Sequence, residues 1–155
     1  MGYYKYATIC LNGHVASSIN AGYRKFCKDC GEKTISVCEH CNKDIQGDYY
    51  VPGVVSIGFE YKTPSFCHEC GNPYPWTERV LENALEILSL DESLSEDHKN
   101  IIQSTFPDLL IDTPDTPVAV AKYKKYMPKA AEYVQLGVKS ILINLVSDTV
   151  RQSIW

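Results

Sequence analysis

No apolar run in the sequence approaches the ~20 residues that a membrane-spanning helix needs, which argues against a bilayer span. The opening Met1-Gly2-Tyr3-Tyr4-Lys5-Tyr6 has no apolar signal core, and position six lacks the Ser or Thr of a myristoylation site. These absences lead to the expectation of a cytoplasmic protein. A basic excess is also missing: 15 Lys/Arg stand against 19 Asp/Glu, for a net charge of −4. That weighs against a dedicated nucleic-acid binder, which usually shows a basic face. No cysteine follows Cys70.

What is present is the composition of a folded chain, 45% hydrophobic and 22% charged over 155 residues. Charge and cysteine divide it. Through Trp76 there are seven Lys/Arg and seven Asp/Glu, and all seven cysteines; from Thr77 onward there are eight and twelve. Two domains are expected, 1–76 and 77–155.

The cysteines fall into four two-ligand units: Cys10-Leu-Asn-Gly-His14, Cys27-Lys-Asp-Cys30, Cys38-Glu-His-Cys41 and Cys67-His-Glu-Cys70. Where thiols stay reduced, such pairs read as metal ligands before disulfides. Two thiolates two residues apart reach one ion only across a tight turn, and the residue after the second ligand then tends to positive φ. Gly31, Asn42 and Gly71 stand there, and Asn12-Gly13 marks a turn inside the first unit. An odd number of cysteines, completed by His14 to eight ligands, makes two tetrahedral Zn²⁺ sites. Sequential pairing (Cys10, His14, Cys27, Cys30; then Cys38, Cys41, Cys67, Cys70) is expected over a cross-brace, because Gly31–Val37 is a short link between longer, strand-rich intervals such as Val51–Tyr61. His40 and His68 read as exposed filler inside the knuckles. With eight ligands for two ions no coordination position stays open, so the zinc is structural. It supplies folding energy that two small ribbons cannot draw from a core alone. The aromatics Tyr3, Tyr4, Tyr6, Tyr23, Phe26, Tyr49, Tyr50, Phe59, Tyr61 and Phe66 are expected to pack on the hairpin faces; stacking on single-stranded nucleic acid is the other reading.

The second half reads as helical. Trp76 is a packing plug. Thr77 caps a first helix, with Val80, Leu81, Ala84, Leu85 and Leu88 at helical spacing. Ser93 and Glu96 fit a capping box for a second helix that Pro107 stops. A third starts at Thr116-Pro117 and runs to about Met127. Lys122–Lys129 is the most basic stretch, read as a solvated face rather than a phosphate patch. Lys129–Trp155 reads as one long helix, weak only at Gly137, with a Val138, Leu142, Val146, Val150 and Ile154 ridge inside a wide apolar arc. That arc must bury on more than one side, among the other helices, against a second copy, or on a membrane surface.

The fold class expected is small α+β: tandem zinc ribbons built from β-hairpins, then a helical domain. The stretches Ile-Cys-Leu-Asn-Gly-His14, Lys-Phe-Cys-Lys-Asp-Cys-Gly31, Val-Pro-Gly53, Phe-Cys-His-Glu-Cys-Gly-Asn-Pro-Tyr-Pro-Trp-Thr-Glu78, Asp-Thr-Pro-Asp-Thr-Pro117 and Ser-Ile-Trp155 resemble a bacterial family, domain of unknown function 2321. Its metal part is similar to a double zinc ribbon, and the eight ligands match residue by residue. The resemblance implies a bacterial intracellular protein and brings no activity with it. No Ser/His/Asp set, phosphate loop or free cysteine nucleophile is present once the zincs are filled. The expected function is therefore a non-enzymatic adaptor acting by protein–protein contact or self-assembly through Lys129–Trp155. The alternatives are nucleic-acid binding through Arg24, Lys25, Lys28 and Lys33, and membrane association through the last helix.

Overall fold

The computed structural model describes residues 1–55 and 57–155. The chain divides into two compact units, Met1–Glu78 and Arg79–Trp155.

The first unit holds two small antiparallel sheets. Strand β1 (Tyr3–Tyr6) pairs with β5 (Gln46–Tyr50), setting Tyr3 opposite Tyr50 and Tyr4 opposite Tyr49. Strand β2 (Thr8–Cys10) is central to the other sheet, between β3 (Val15–Ser17) and β4 (Thr34–Ile35). The two sheets are pinned where β5 meets the end of β3. The Asp48 amide donates to the Ser18 carbonyl (2.8 Å), and the Ser18 hydroxyl donates to the Asp48 carboxylate (2.5 Å). Gly47 makes this approach possible, since a Cβ there would stand 2.0 Å from the Ser18 carbonyl oxygen. The core is small: Ala7, Ile9, Cys38, Ile45, Cys67, Tyr74 and Trp76. Trp76 stacks on Tyr74 with ring centroids 4.8 Å apart, and its indole N–H donates to the Pro64 carbonyl (2.8 Å). The strand expected in Val51–Tyr61 is not formed among its described residues; Ser56 lies outside them. This stretch is tied down by a side chain instead, as the Tyr61 hydroxyl donates to the Gln46 carbonyl.

The aromatics depart furthest from expectation. Tyr3, Tyr4, Tyr6, Tyr23, Phe26, Tyr49, Tyr50 and Phe59 are exposed rather than packed away; only Tyr61 and Phe66 are half-buried. The β1–β5 tyrosines pack on each other across the strands, Tyr3 with Tyr50 at 5.4 Å and Tyr4 with Tyr49 at 5.0 Å. A two-stranded ribbon covers too little area to give them a core.

Helix α1 (Pro75–Ser89) begins two residues before the expected cap. Proline suits a first helical turn, and Thr77, already inside the helix, donates its hydroxyl to the Ser65 carbonyl instead (2.8 Å). Helix α2 (Glu96–Leu110) is capped by Ser95, whose hydroxyl accepts from the His98 amide, and not by Ser93. Pro107 does not stop it, because the turn that follows buries Leu109 and Leu110 beside Phe106. Burying two leucines at about 1.5–3 kcal/mol each outweighs the ~3 kcal/mol that an interior proline costs.

Ser93 is a partner of Asp91, a buried carboxylate. Asp91 Oδ1 accepts from the Ser93 amide, the Ser93 hydroxyl and the Leu94 amide, and Oδ2 accepts from the Ala131 amide (2.7 Å), forty residues on. Burial alone would raise its pKa. These donors outweigh that and hold it at about 2, below its ordinary 3.8. A depressed carboxyl stabilises the fold above its unfolded pKa, so this contribution should be full above about pH 4 and fade as pH falls toward 2. Asp91→Ala strands the Leu94 and Ala131 amides. It should cost about 3 kcal/mol in urea denaturation followed by helical ellipticity, and flatten the acid limb of stability against pH. An unchanged midpoint would contradict this role.

Helix α3 (Thr116–Tyr126) runs into a single 3₁₀ turn at Met127–Lys129. The Lys129–Trp155 segment is two helices, α4 (Glu132–Leu142) and α5 (Asp148–Ile154), in place of the one expected. The break falls beyond Gly137, at 143–147, where Ser147 caps α5 by accepting from the Val150 amide. Arg151 reaches back to two carbonyls, that of Ile143 at the C-cap of α4 and that of Val146 in the link before α5. The break lets the apolar ridge turn with the chain. Val134, Val138, Leu142, Val146 and Val150 are all buried with Ala84, Leu88, Ile102, Phe106 and Leu109, and Trp155 packs on Tyr123. The width that suggested a second copy or a membrane surface is thus largely taken up by the unit's own core. No helix among the described residues is long and apolar enough to cross a membrane.

Candidate metal centres

Each ligand pair sits on a tight turn closed by backbone hydrogen bonds. In the second unit the Gly31 amide donates to the Cys27 carbonyl (2.9 Å), and Gly31 has φ +74°. Asn42 (φ +63°) and Gly71 (φ +75°) repeat this at Cys38 and Cys67. In the first unit the Gly13 amide closes on the Cys10 carbonyl at the tip of the β2–β3 hairpin. The Asp29 and Glu69 amides then point at the first sulfur of their own knuckle, each 3.4 Å from Cys27 Sγ and Cys67 Sγ.

The turns bring the eight side chains into two groups. Cys10, His14, Cys27 and Cys30 form one, and Cys38, Cys41, Cys67 and Cys70 the other, with all ligand atoms of a group within 4.8 Å of one another. The pairing is sequential. Cys10 Sγ lies 3.7 Å from Cys30 Sγ, and His14 Nδ1 lies 3.6 Å from Cys27 Sγ. In the second group Cys38–Cys70 and Cys41–Cys67 are each 3.7 Å apart. A disulfide would need about 2.05 Å. An ion bonded tetrahedrally to sulfur at about 2.3 Å and to nitrogen at about 2.05 Å sets sulfurs about 3.8 Å apart and sulfur and nitrogen about 3.6 Å apart. The donor sets and spacings fit a tetrahedral ion.

The sulfurs are electrostatically poised. Cys30 is lowered to about 6, chiefly by the Glu32 amide and then by the Asn12 side chain. At Cys67 burial opposes ionisation, but the Cys70 and Glu69 amides outweigh it and lower the thiol to about 6. Cys41 goes the other way, up to about 12: the Lys43 amide pulls it down, yet burial and the sulfurs of Cys67, Cys70 and Cys38 prevail. Neighbouring sulfurs with only protons to share must split in this way, and a dication would let all of them ionise.

Two supporting residues carry no sulfur-donor signature in the sequence. The Asn12 side-chain amide lies 3.3 Å from Cys30 Sγ, and that of Asn72 lies 3.4 Å from Cys70 Sγ. Such outer contacts orient ligands and tune the metal. Asn12 reads in sequence only as a turn residue; its placement beside the solvent-side sulfur is a product of the fold. His40 and His68 stay outside both groups, His40 lying 3.8 Å from Glu78.

Two four-ligand Cys/His groups on knuckle turns, one per small ribbon, define a small α+β protein of the tandem zinc-ribbon type with two potential metal sites. The chain belongs to the bacterial family described as uncharacterized protein conserved in bacteria (DUF2321), which it matches over residues 3–154. No curated protein and no solved structure matches it.

Proposed function

We propose that each group holds one structural Zn²⁺ and that the chain is a non-enzymatic adaptor, whose zinc-stapled unit presents an aromatic surface to a protein partner. The observation that carries this reading is the tyrosine ladder: Tyr3, Tyr4, Tyr6, Tyr49 and Tyr50 stand exposed on a ribbon held by its neighbours. Tyrosine is favoured at protein interfaces because its ring gives apolar area and its hydroxyl stays satisfied by water when unbound. Four protein ligands per group leave no position for a substrate, which supports a structural role for the metal. The C-terminal segment keeps Tyr133, Leu136 and Leu145 exposed, a smaller surface for self-assembly.

Native mass spectrometry of the full chain should give two zincs and its copy number together. The wild-type chain should capture a protein partner, and Tyr4→Ser with Tyr49→Ser should keep both zincs but abolish that capture; undiminished capture would reject the ladder as the contact.

One observation favours nucleic acid as a second reading. Cations already lie over exposed rings, Lys5 over Tyr50 at 4.4 Å and Arg24 over Tyr23 at 5.0 Å, as in single-strand stacking platforms. Filter binding at about 50 mM salt, where phosphate contacts are strong, separates the two.

A further inference from the structure

Tyr126, the last residue of α3, is half-buried against the helical core, and basic side chains from three separate elements converge on its ring. His98 of α2 packs on it with ring centroids 5.0 Å apart. Lys125 of α3 and Lys129 of the 3₁₀ turn bring their ammonium groups over it, 5.3 and 5.1 Å from its centroid. The two ammonium groups are therefore no more than about 10 Å apart. Neither is in an ion pair among the described residues. The local chain does not neutralise them: residues 122–129 hold four lysines, all exposed, and no acid. This happens in a half of the chain where acids outnumber bases, twelve to eight from Thr77 onward. Helix α2 does bring Glu96 and Asp97 up to His98, but Glu96 is engaged by Lys99 (3.5 Å). Attraction to the ring face gathers the two cations. Their mutual repulsion opposes that gathering, and an anion shared between them would relieve it.

We infer that Lys125, Lys129 and His98 bind a phosphomonoester group beside the Tyr126 ring. A carboxylate has one charge and neutralises one ammonium group. A phosphomonoester carries about −1.5 to −2 at neutral pH and three acceptor oxygens, enough for both ammonium groups and an imidazole N–H together. The internal phosphates of nucleic acid are diesters with a single charge and match the pair less well. Lysine holds phosphate as a point charge. The ring orients both side chains beforehand, so less of their freedom is lost on binding. The group can belong to a soluble phosphate ester or to a lipid headgroup, since the chemistry at the lysines is the same. The most basic stretch of the chain is on this account a binding surface.

Glycerol 3-phosphate, dimethyl phosphate and acetate are suitable soluble probes. They are titrated into the full zinc-loaded chain at about 50 mM salt, where phosphate contacts are strong, and followed by the NMR ring signals of its four histidines. Glycerol 3-phosphate should bind with a dissociation constant near about 1 mM, shift His98 and leave His40 and His68 unmoved. Dimethyl phosphate and acetate, with one charge each, should bind at least about fivefold more weakly, the value of one close charge contact in water. Lys125→Gln and Lys129→Gln should each weaken glycerol 3-phosphate by about the same factor. Both lysines are exposed, so neither substitution disturbs the core. Lys62→Gln, the same loss of charge in the other unit, should leave binding unchanged. Phosphatidylcholine vesicles doped with phosphatidate present the same group on a surface and separate its sources. Binding tighter than that of the soluble ester, and lost when both lysines are replaced, assigns a lipid headgroup. Binding no tighter, or surviving the double substitution, assigns a soluble ester. The proposal is overturned if glycerol 3-phosphate fails to saturate by about 10 mM, if dimethyl phosphate binds as well, or if His98 does not shift. It is equally overturned if Lys62→Gln weakens binding as much as Lys125→Gln, since net charge and not a site would then be responsible.

Discussion

Stripping the metal from this chain with EDTA should unfold residues 1–78 while the helical unit keeps its ellipticity. The first unit's core holds seven residues, and two of them, Cys38 and Cys67, are themselves sulfur ligands. Without an ion these sulfurs can only trade protons, and the short strands have little else beneath them. A structural zinc contributes on the order of 10–16 kcal/mol at neutral pH in finger peptides, more than the whole margin of most small domains. The helical unit closes its own core from Ala84 to Val150 and contains no cysteine. Two zincs per chain should appear in a colorimetric chelation assay, and amide dispersion should collapse for the first unit alone. Intact dispersion there after complete chelation would remove the structural role.

The next largest effect separates the two centres. Cys30→Ser should lose one zinc and disorder the β2–β3–β4 sheet, with Cys38, Cys41, Cys67 and Cys70 still loaded. Cys70→Ser should also lose one zinc, but its damage should spread further. The second group is part of the hydrophobic cluster, where Cys38 and Cys67 pack with Ile9, Ile45, Tyr74 and Trp76, whereas no ligand of the first group belongs to it. Cys30 and Cys70 are both exposed, so neither substitution leaves a buried cavity and the comparison isolates the metal. Native mass spectrometry counts the ions and amide exchange maps the damage. A folded Cys30→Ser chain that still holds two zincs would contradict the ligand assignment.

Local chemistry made the metal groups legible before any coordinates. A Cys-x-x-Cys turn needs a residue tolerant of positive φ just after it, and Gly31, Asn42 and Gly71 are all found in that conformation. The helical periodicity was also readable, because it depends on side chains a turn apart. Element ends were harder. Ser93 and Ser95 look alike as caps; the choice is made by Asp91, which draws Ser93 into a hydrogen-bond cluster closed by Ala131. Pro107 is overridden by the burial of Leu109 and Leu110, and the Lys129–Trp155 arc is interrupted where Ser147 and Arg151 offer a cap and a clamp. Each of these depends on contacts made only after folding. The exposed tyrosines belong to the same class, since sequence shows an aromatic but not whether a layer lies over it.

The pinch at Gly47 has a bearing on recognition. With β5 held to Ser18 through both main chain and side chain, the tyrosine ribbon cannot slide or swing against the neighbouring sheet. Its rings are locked in cross-strand pairs before anything docks. A visitor to that face meets a finished relief instead of a mobile loop, and so loses less ordering entropy on arrival. The ladder adjoins the second cysteine group, Tyr4 and Tyr6 lining one cleft with Lys43 and His68, so metal loading there would bear on how selectively that face is read.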